Sequence, residues 1–138
     1  MSFLNWGESP LVLEASQKNA RETHLVLGLT EALVAELAQE LVEIYSCAAT
    51  TSSSELRLVL PQNWVLFWKT RSEGSRLLLA HPQKNEWVGT LALSQDGGMR
   101  WLEMAKTLRS GQTRALSQVC GLHPVSNFDL VIRLMESV

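Results

Sequence analysis

A histidine set beside a carboxylate is the simplest arrangement in this chain that moves a proton. His81 closes one apolar run and Glu86 opens the next, so an antiparallel hairpin pairs them. Such a pair serves as a general base or a pH switch. Spacing places no Ser or Cys nucleophile next to it, and closing the rim of a hairpin is the plainer role. His24 and His123 lie far apart and outside HxH or HExxH spacing, so no metal site is expected. Cys47 and Cys120 form no CxxC and read as small, partly buried hydrophobes. Gly97-Gly98 opens a helix, but Asp96 before it would repel a phosphate, and neither GxGxxG nor GxxxxGK[ST] is present. No cofactor is expected. Lys106, Arg109 and Arg114 gather near Ser110-Gly111-Gln112, where a solvated helix end accounts for them; nucleic-acid contact there is the weakest reading.

Tryptophan is the other conspicuous residue. Trp64, Trp68 and Trp87 are expected on one face of a sheet, with Trp101 on a helix above them and Trp6 outside the group. With His81 nearby, Trp64, Trp68 and Trp87 are candidates to line a pocket for a planar or apolar ligand. Core packing competes for the same rings, because Trp supplies large buried area.

The elements that must position these residues follow from periodicity. Thr30 caps a helix over 30–46, with Leu33, Leu37, Leu41 and Ile44 on one stripe and Glu36, Gln39, Glu40 and Glu43 opposite. The Ala/Thr/Ser tract 48–54 reads as a flexible connection. Four short apolar runs follow, at 55–60, 64–70, 75–81 and 86–93. They are separated by Pro61-Gln62-Asn63, Ser72-Glu73-Gly74 and Pro82-Gln83-Lys84-Asn85. Connections this short cannot carry parallel crossovers, so a four-stranded antiparallel meander is expected. Asp96 caps a second helix over 97–110, and 113–119 reads as a third. The tail 128–136 fits a capping box at Ser126 and Asp129 or the alternation of a strand, and helix is preferred. Residues 11–29 offer a hairpin or a helical turn. The expected fold is thus a single α+β domain over 1–138, with an N-terminal amphipathic helix and C-terminal helices packed on the meander.

Turn lengths set which side chains share a face. Gly74 suits the left-handed position of a three-residue turn, which pairs Arg71 with Ser75. One face then collects Leu56, Leu58, Trp64, Leu66, Trp68, Leu78, Ala80, Trp87, Leu91 and Leu93 and seats the helices. The other collects Val59, Val65, Phe67, Leu77, Leu79 and Val88 inside a charged margin, with Glu55 opposite Lys69. Such a patch spans several hundred Å2, about the size at which exposed apolar area means contact. It is covered by the chain's own ends, by a second copy or by another protein or ligand.

Composition bounds the answer. The chain has 138 residues, 46% hydrophobic and 19% charged, with a net charge of −2 and a pI near 5.9. That suits one packed domain and argues against a nucleic-acid binder. Two cysteines, a start without the pattern of a signal peptide and no long apolar run point to the cytoplasm and to no membrane partner. In its acidity and compact α+β make-up the chain resembles small secretion chaperones, though four strands without an intervening helix depart from their order of elements. The expected function is a non-enzymatic protein-interaction module, a homodimer or small chaperone-like adaptor. Val59, Val65, Phe67, Leu77, Leu79 and Val88 would form its contact. The rival is a small apolar-ligand binder or enzyme built on the Trp-lined pocket.

Overall fold

The computed structural model describes residues 2–7, 12–19, 22–81, 83, 86–94, 97–119 and 128–135, the backbone alone at 2, 12–19, 22, 23, 86–88 and 119. His123, Cys120 and Asp96 lie outside the described residues. In chain order the strands are β1 (Ser2–Asn5), β2 (Val12–Asn19), β3 (Glu22–Leu29), β4 (Ser53–Val59), β5 (Val65–Arg71), β6 (Gly74–His81), β7 (Glu86–Leu93), β8 (Thr113–Ala115) and β9 (Phe128–Leu134). The helices are α1 (Glu31–Thr51), α2 (Gly97–Ala105) and α3 (Leu116–Val119).

Helix α1 starts as its sequence dictates, with the Thr30 hydroxyl accepting from the Leu33 amide at 3.3 Å. It runs on through the tract expected to be a linker. Ala48 extends the buried stripe, and the Thr50 and Thr51 hydroxyls donate to the Cys47 carbonyl. Ser52, at φ 73°, ends the helix in the left-handed region. Hydroxyls that bond the last turn's carbonyls make a helix end of residues whose composition suggests coil. Among the described residues no helix is long and apolar enough to cross a membrane.

The four runs after α1 do pair antiparallel in sequence order, but they are not a sheet by themselves. Strand β1 joins β4 in parallel, giving a mixed five-stranded sheet in the order β1-β4-β5-β6-β7. A second, four-stranded sheet, β2-β3-β9-β8, was not anticipated as such. Its β2–β3 hairpin is one of the two options that the sequence offered for 11–29. The tail 128–134 is a strand and not the preferred helix. It lies parallel to β3, pairing Leu25 with Leu130, Leu27 with Ile132 and Leu29 with Leu134. These residues alternate along both strands and all are buried, so a parallel partner distant in sequence decides the period. The expected third helix over 113–119 divides into strand β8 and the four-residue helix α3, and α2 ends at Ala105, short of 110.

The register of β6 departs from expectation and changes the faces. Arg71 pairs with Gly74, not Ser75, across a two-residue turn, Ser72-Glu73. Gly74 is absorbed into the strand at φ 154°, where a Cβ would stand 2.6 Å from the Leu93 carbonyl oxygen of β7. Only glycine tolerates that approach. The slip moves Ser75, Leu77, Leu79 and His81 to the inner face, where Leu77 is 0% and Leu79 1% exposed. Leu78 and Ala80 move outward. Gly74→Ala is therefore expected to destabilise by about 1–3 kcal/mol, measured by urea unfolding. A neutral or stabilised variant would contradict this register.

One buried core unites both sheets, from Leu56, Leu66 and Trp68 to Leu27, Leu130 and Ile132. Helices α1 and α2 fill the space against the inner face of the five-stranded sheet. Trp68 and Trp101 pack there with ring centroids 6.1 Å apart. A polar chain threads the same layer. Trp68 Nε1 donates to Tyr45 Oη at 3.2 Å, Tyr45 Oη meets Ser75 Oγ at 3.1 Å, and Ser75 Oγ meets Thr70 Oγ1 at 3.1 Å. The shifted register puts Ser75 where this chain needs it, so buried hydroxyls are satisfied.

Candidate interaction surface

The outer face of the five-stranded sheet is built of three rows that cross its strands. The central row is Phe3, Arg57, Phe67, Leu78 and Thr90, each directly paired with the next. Above it runs Asn5, Val59, Val65 and Ala80. Below it runs Glu55, Lys69, Arg76 and Ala92. Phe3 is 54% exposed, and Val59, Phe67, Leu78 and Ala80 are half-buried. Helices α1 and α2 both press on the inner face, and no described helix lies over this one. Arg57 bends across the sheet, its guanidinium carbon 5.0 Å from the Phe67 ring centroid. That posture buries its Nε, which has no hydrogen-bond partner among the described residues.

Beside the central row, at the β5–β6 turn, lies a cavity of about 490 Å3. Leu78, Ala92 and Leu93 contribute its apolar lining, and Lys69, Arg71 and Arg76 contribute cations. The one carboxylate there among the described residues, Glu73, stands 4.0 Å from Arg71 with both side chains largely in solvent, so it neutralises little. Lys69 sits between Glu55 and Arg76, so one of its two cross-strand neighbours carries the same charge.

The structure distributes the candidates unevenly. Val59, Val65 and Phe67 share the outer face as expected, with Val65 buried. Leu77 and Leu79 do not join them: the one-residue slip at Gly74 places both in the core. Val88 falls in a β-bulge of β7, and its side chain lies outside the described residues. The residues expected to line a tryptophan pocket are described in part. Trp68 is fully buried against Trp101, and the Trp87 side chain lies outside the described residues. Trp64 is half-buried and meets His81 edge-on, centroids 5.0 Å apart. His81, itself buried, bonds through Nε2 to the Gln62 carbonyl at 2.9 Å, bracing a 3-10 turn in which Gln62 and Asn63 take positive φ. His81 does pair with Glu86 along the backbone, while the Glu86 carboxylate lies outside the described residues.

Other chemistry stays apart. His24 is aligned with Asp129 on neighbouring strands, yet Asp129 accepts from the Ser117 hydroxyl and amide at the start of α3. That is a capping arrangement. Lys106 lies 3.5 Å from Glu103, and Arg114 donates to the Thr113 carbonyl. Cys47 is exposed and unbonded to any other cysteine. Among the described residues no three His, Cys, Asp or Glu side chains are grouped to hold a metal ion.

Phe3, Leu78, Ala80 and the Lys69–Arg76 pair are the surface residues that sequence reasoning missed. Phe3 belongs to a strand whose partner is more than fifty residues away, and the others depend on the β6 register. Comparison with protein-family models, with curated proteins and with solved structures finds no match to this chain.

Proposed function

We propose that this protein is a non-enzymatic interaction module, acting in the cytoplasm as a homodimer or a small chaperone-like adaptor through the outer face of its five-stranded sheet. One observation carries the reading: Val59, Phe67, Leu78 and Ala80 form an apolar cluster on the outer face, with Phe3 beyond Arg57 in the same row, and no described helix packs on it. A sheet face left to water is ordinarily polar throughout, whereas here Val59, Phe67, Leu78 and Ala80 adjoin, and Arg57 and Thr90 are the polar members of the central row. The burial of Trp68 in the core favours this reading over the rival ligand pocket.

The test is uptake of the apolar dye bis-ANS, read beside sedimentation velocity over a wide concentration range. The native chain is expected to bind dye, or to self-associate at the expense of dye binding. Phe67→Glu is expected to weaken whichever occurs by about tenfold or more, a loss of roughly 1.4 kcal/mol or greater. Its far-ultraviolet circular dichroism should stay unchanged, because Phe67 lies on the face away from α1. A native chain that takes up no dye and sediments as a monomer throughout would mean that its own residues roof this face. The reading would then be abandoned.

A further inference from the structure

We infer, building on that reading, that the occupant of this face is an extended acidic segment of a different protein, with apolar residues following its carboxylate at alternate positions. The first ground is Lys69 and Arg76. They are exposed and directly opposite across an antiparallel pair, a placement in which like charges repel. A carboxylate between them reverses the sign of that interaction. The cavity beside them adds Arg71 to the same side and sets Leu78 and Ala92 in its wall, so a charged end and an apolar wall are contiguous.

The second ground is charge balance. Among the described residues this face and its turn carry Arg57, Lys69, Arg71 and Arg76 against Glu55 and Glu73, a cationic excess on a chain whose net charge is −2. Two copies laid face to face would double that excess in a low-dielectric contact, whereas an acidic partner cancels it. Arg57, stacked on Phe67, adds its guanidinium charge to the same face.

The third ground is spacing. Along β6 the surface reads Arg76, Leu78, Ala80; along β5 the outer face reads Lys69, then Phe67, then the buried Val65. Each step is two residues, about 6.6–6.8 Å in a strand. A ligand strand laid along this direction matches it with an acid at one position and apolar side chains two and four residues on. Nucleic acid fits less well: the cations are few, and the rows beside them are apolar.

The experiment uses the full chain and fluorescein-labelled peptides with the core Glu-Thr-Leu-Thr-Leu. Controls carry Lys for Glu or Thr for both Leu, and oligothymidylate and phosphatidylserine vesicles are run beside them. Fluorescence anisotropy is expected to show the Glu peptide binding about tenfold or more tightly than either control, and several-fold more weakly as salt rises from about 50 to 300 mM. Lys69→Glu with Arg76→Glu should reverse the preference between Glu and Lys peptides. Lys69→Gln with Arg76→Gln should erase it, and serves if charge reversal unsettles the sheet. Equal affinity for Glu and Lys peptides, or indifference to these substitutions, overturns the inference. So does tighter binding of oligothymidylate or vesicles. A dimer broken by Phe67→Glu and untouched by the charge variants would sink the acidic partner while leaving the interaction module standing. Absence of dye uptake, self-association and peptide binding alike would remove the two together.

Discussion

Leu77→Glu is expected to leave the protein unfolded at 25 °C, whereas Leu78→Glu, one residue along the same strand, is expected to fold. Leu77 lies between Trp68 of β5 and Leu91 of β7 on the inner face and is fully buried. A carboxylate there must either be desolvated without a partner or take up a proton, and the packing of a leucine is lost in both cases. Such substitutions cost about 4–5 kcal/mol or more, close to the whole stability of a domain that holds about 5–15 kcal/mol. Leu78 faces outward beside Phe67, half-buried, and Glu there reaches solvent next to Arg76 and Lys69. Thermal unfolding followed by circular dichroism distinguishes the two. With Arg71 opposite Ser75 the outcomes would exchange, so the pair reads the register directly.

Gly98→Ala is expected to destabilise by about 2–3 kcal/mol, against the normal preference of a helix for alanine. Helix α2 approaches the core so closely at Gly98 that an added Cβ would lie 1.9 Å from the Tyr45 hydroxyl and 3.0 Å from Trp68 Cζ2. That hydroxyl also accepts from Trp68 Nε1 and contacts Ser75, so pushing it aside disturbs the polar chain as well as the packing. Tyr45→Phe removes the oxygen. In that background Gly98→Ala should cost at least about 1 kcal/mol less, a coupling that a double-mutant cycle in urea measures. The remainder persists because the Tyr45 ring carbon Cζ and Trp68 still crowd the site. Additive effects would mean that α2 does not approach α1 as described.

Helix α1 was legible because its stripe from Leu33 to Ile44 and its cap at Thr30 act within a few residues of each other. The ladder from β4 to β7 was legible for a similar reason: short turns force antiparallel neighbours. The candidate surface was half legible. Val59, Val65 and Phe67 follow from the β4–β5 turn, and that pairing came out as read. Leu77 and Leu79 did not follow, because Leu77-Leu78-Leu79-Ala80 is apolar on both alternating sets and fits either register.

The residues by themselves determined the local periods, the helix start and the antiparallel order of the central strands, all of which arise from contacts between chain neighbours. Tertiary structure decided what those periods face. The near approach of the Leu93 carbonyl to Gly74 selects one of two registers that hydrophobicity leaves nearly equal. The pairing of β3 with β9 turns an ambiguous tail into a strand, and β1 brings Phe3 alongside Arg57. Each is a backbone contact between distant segments, and hydrogen bonds of that kind depend on where the chain returns more than on the side chains it carries there.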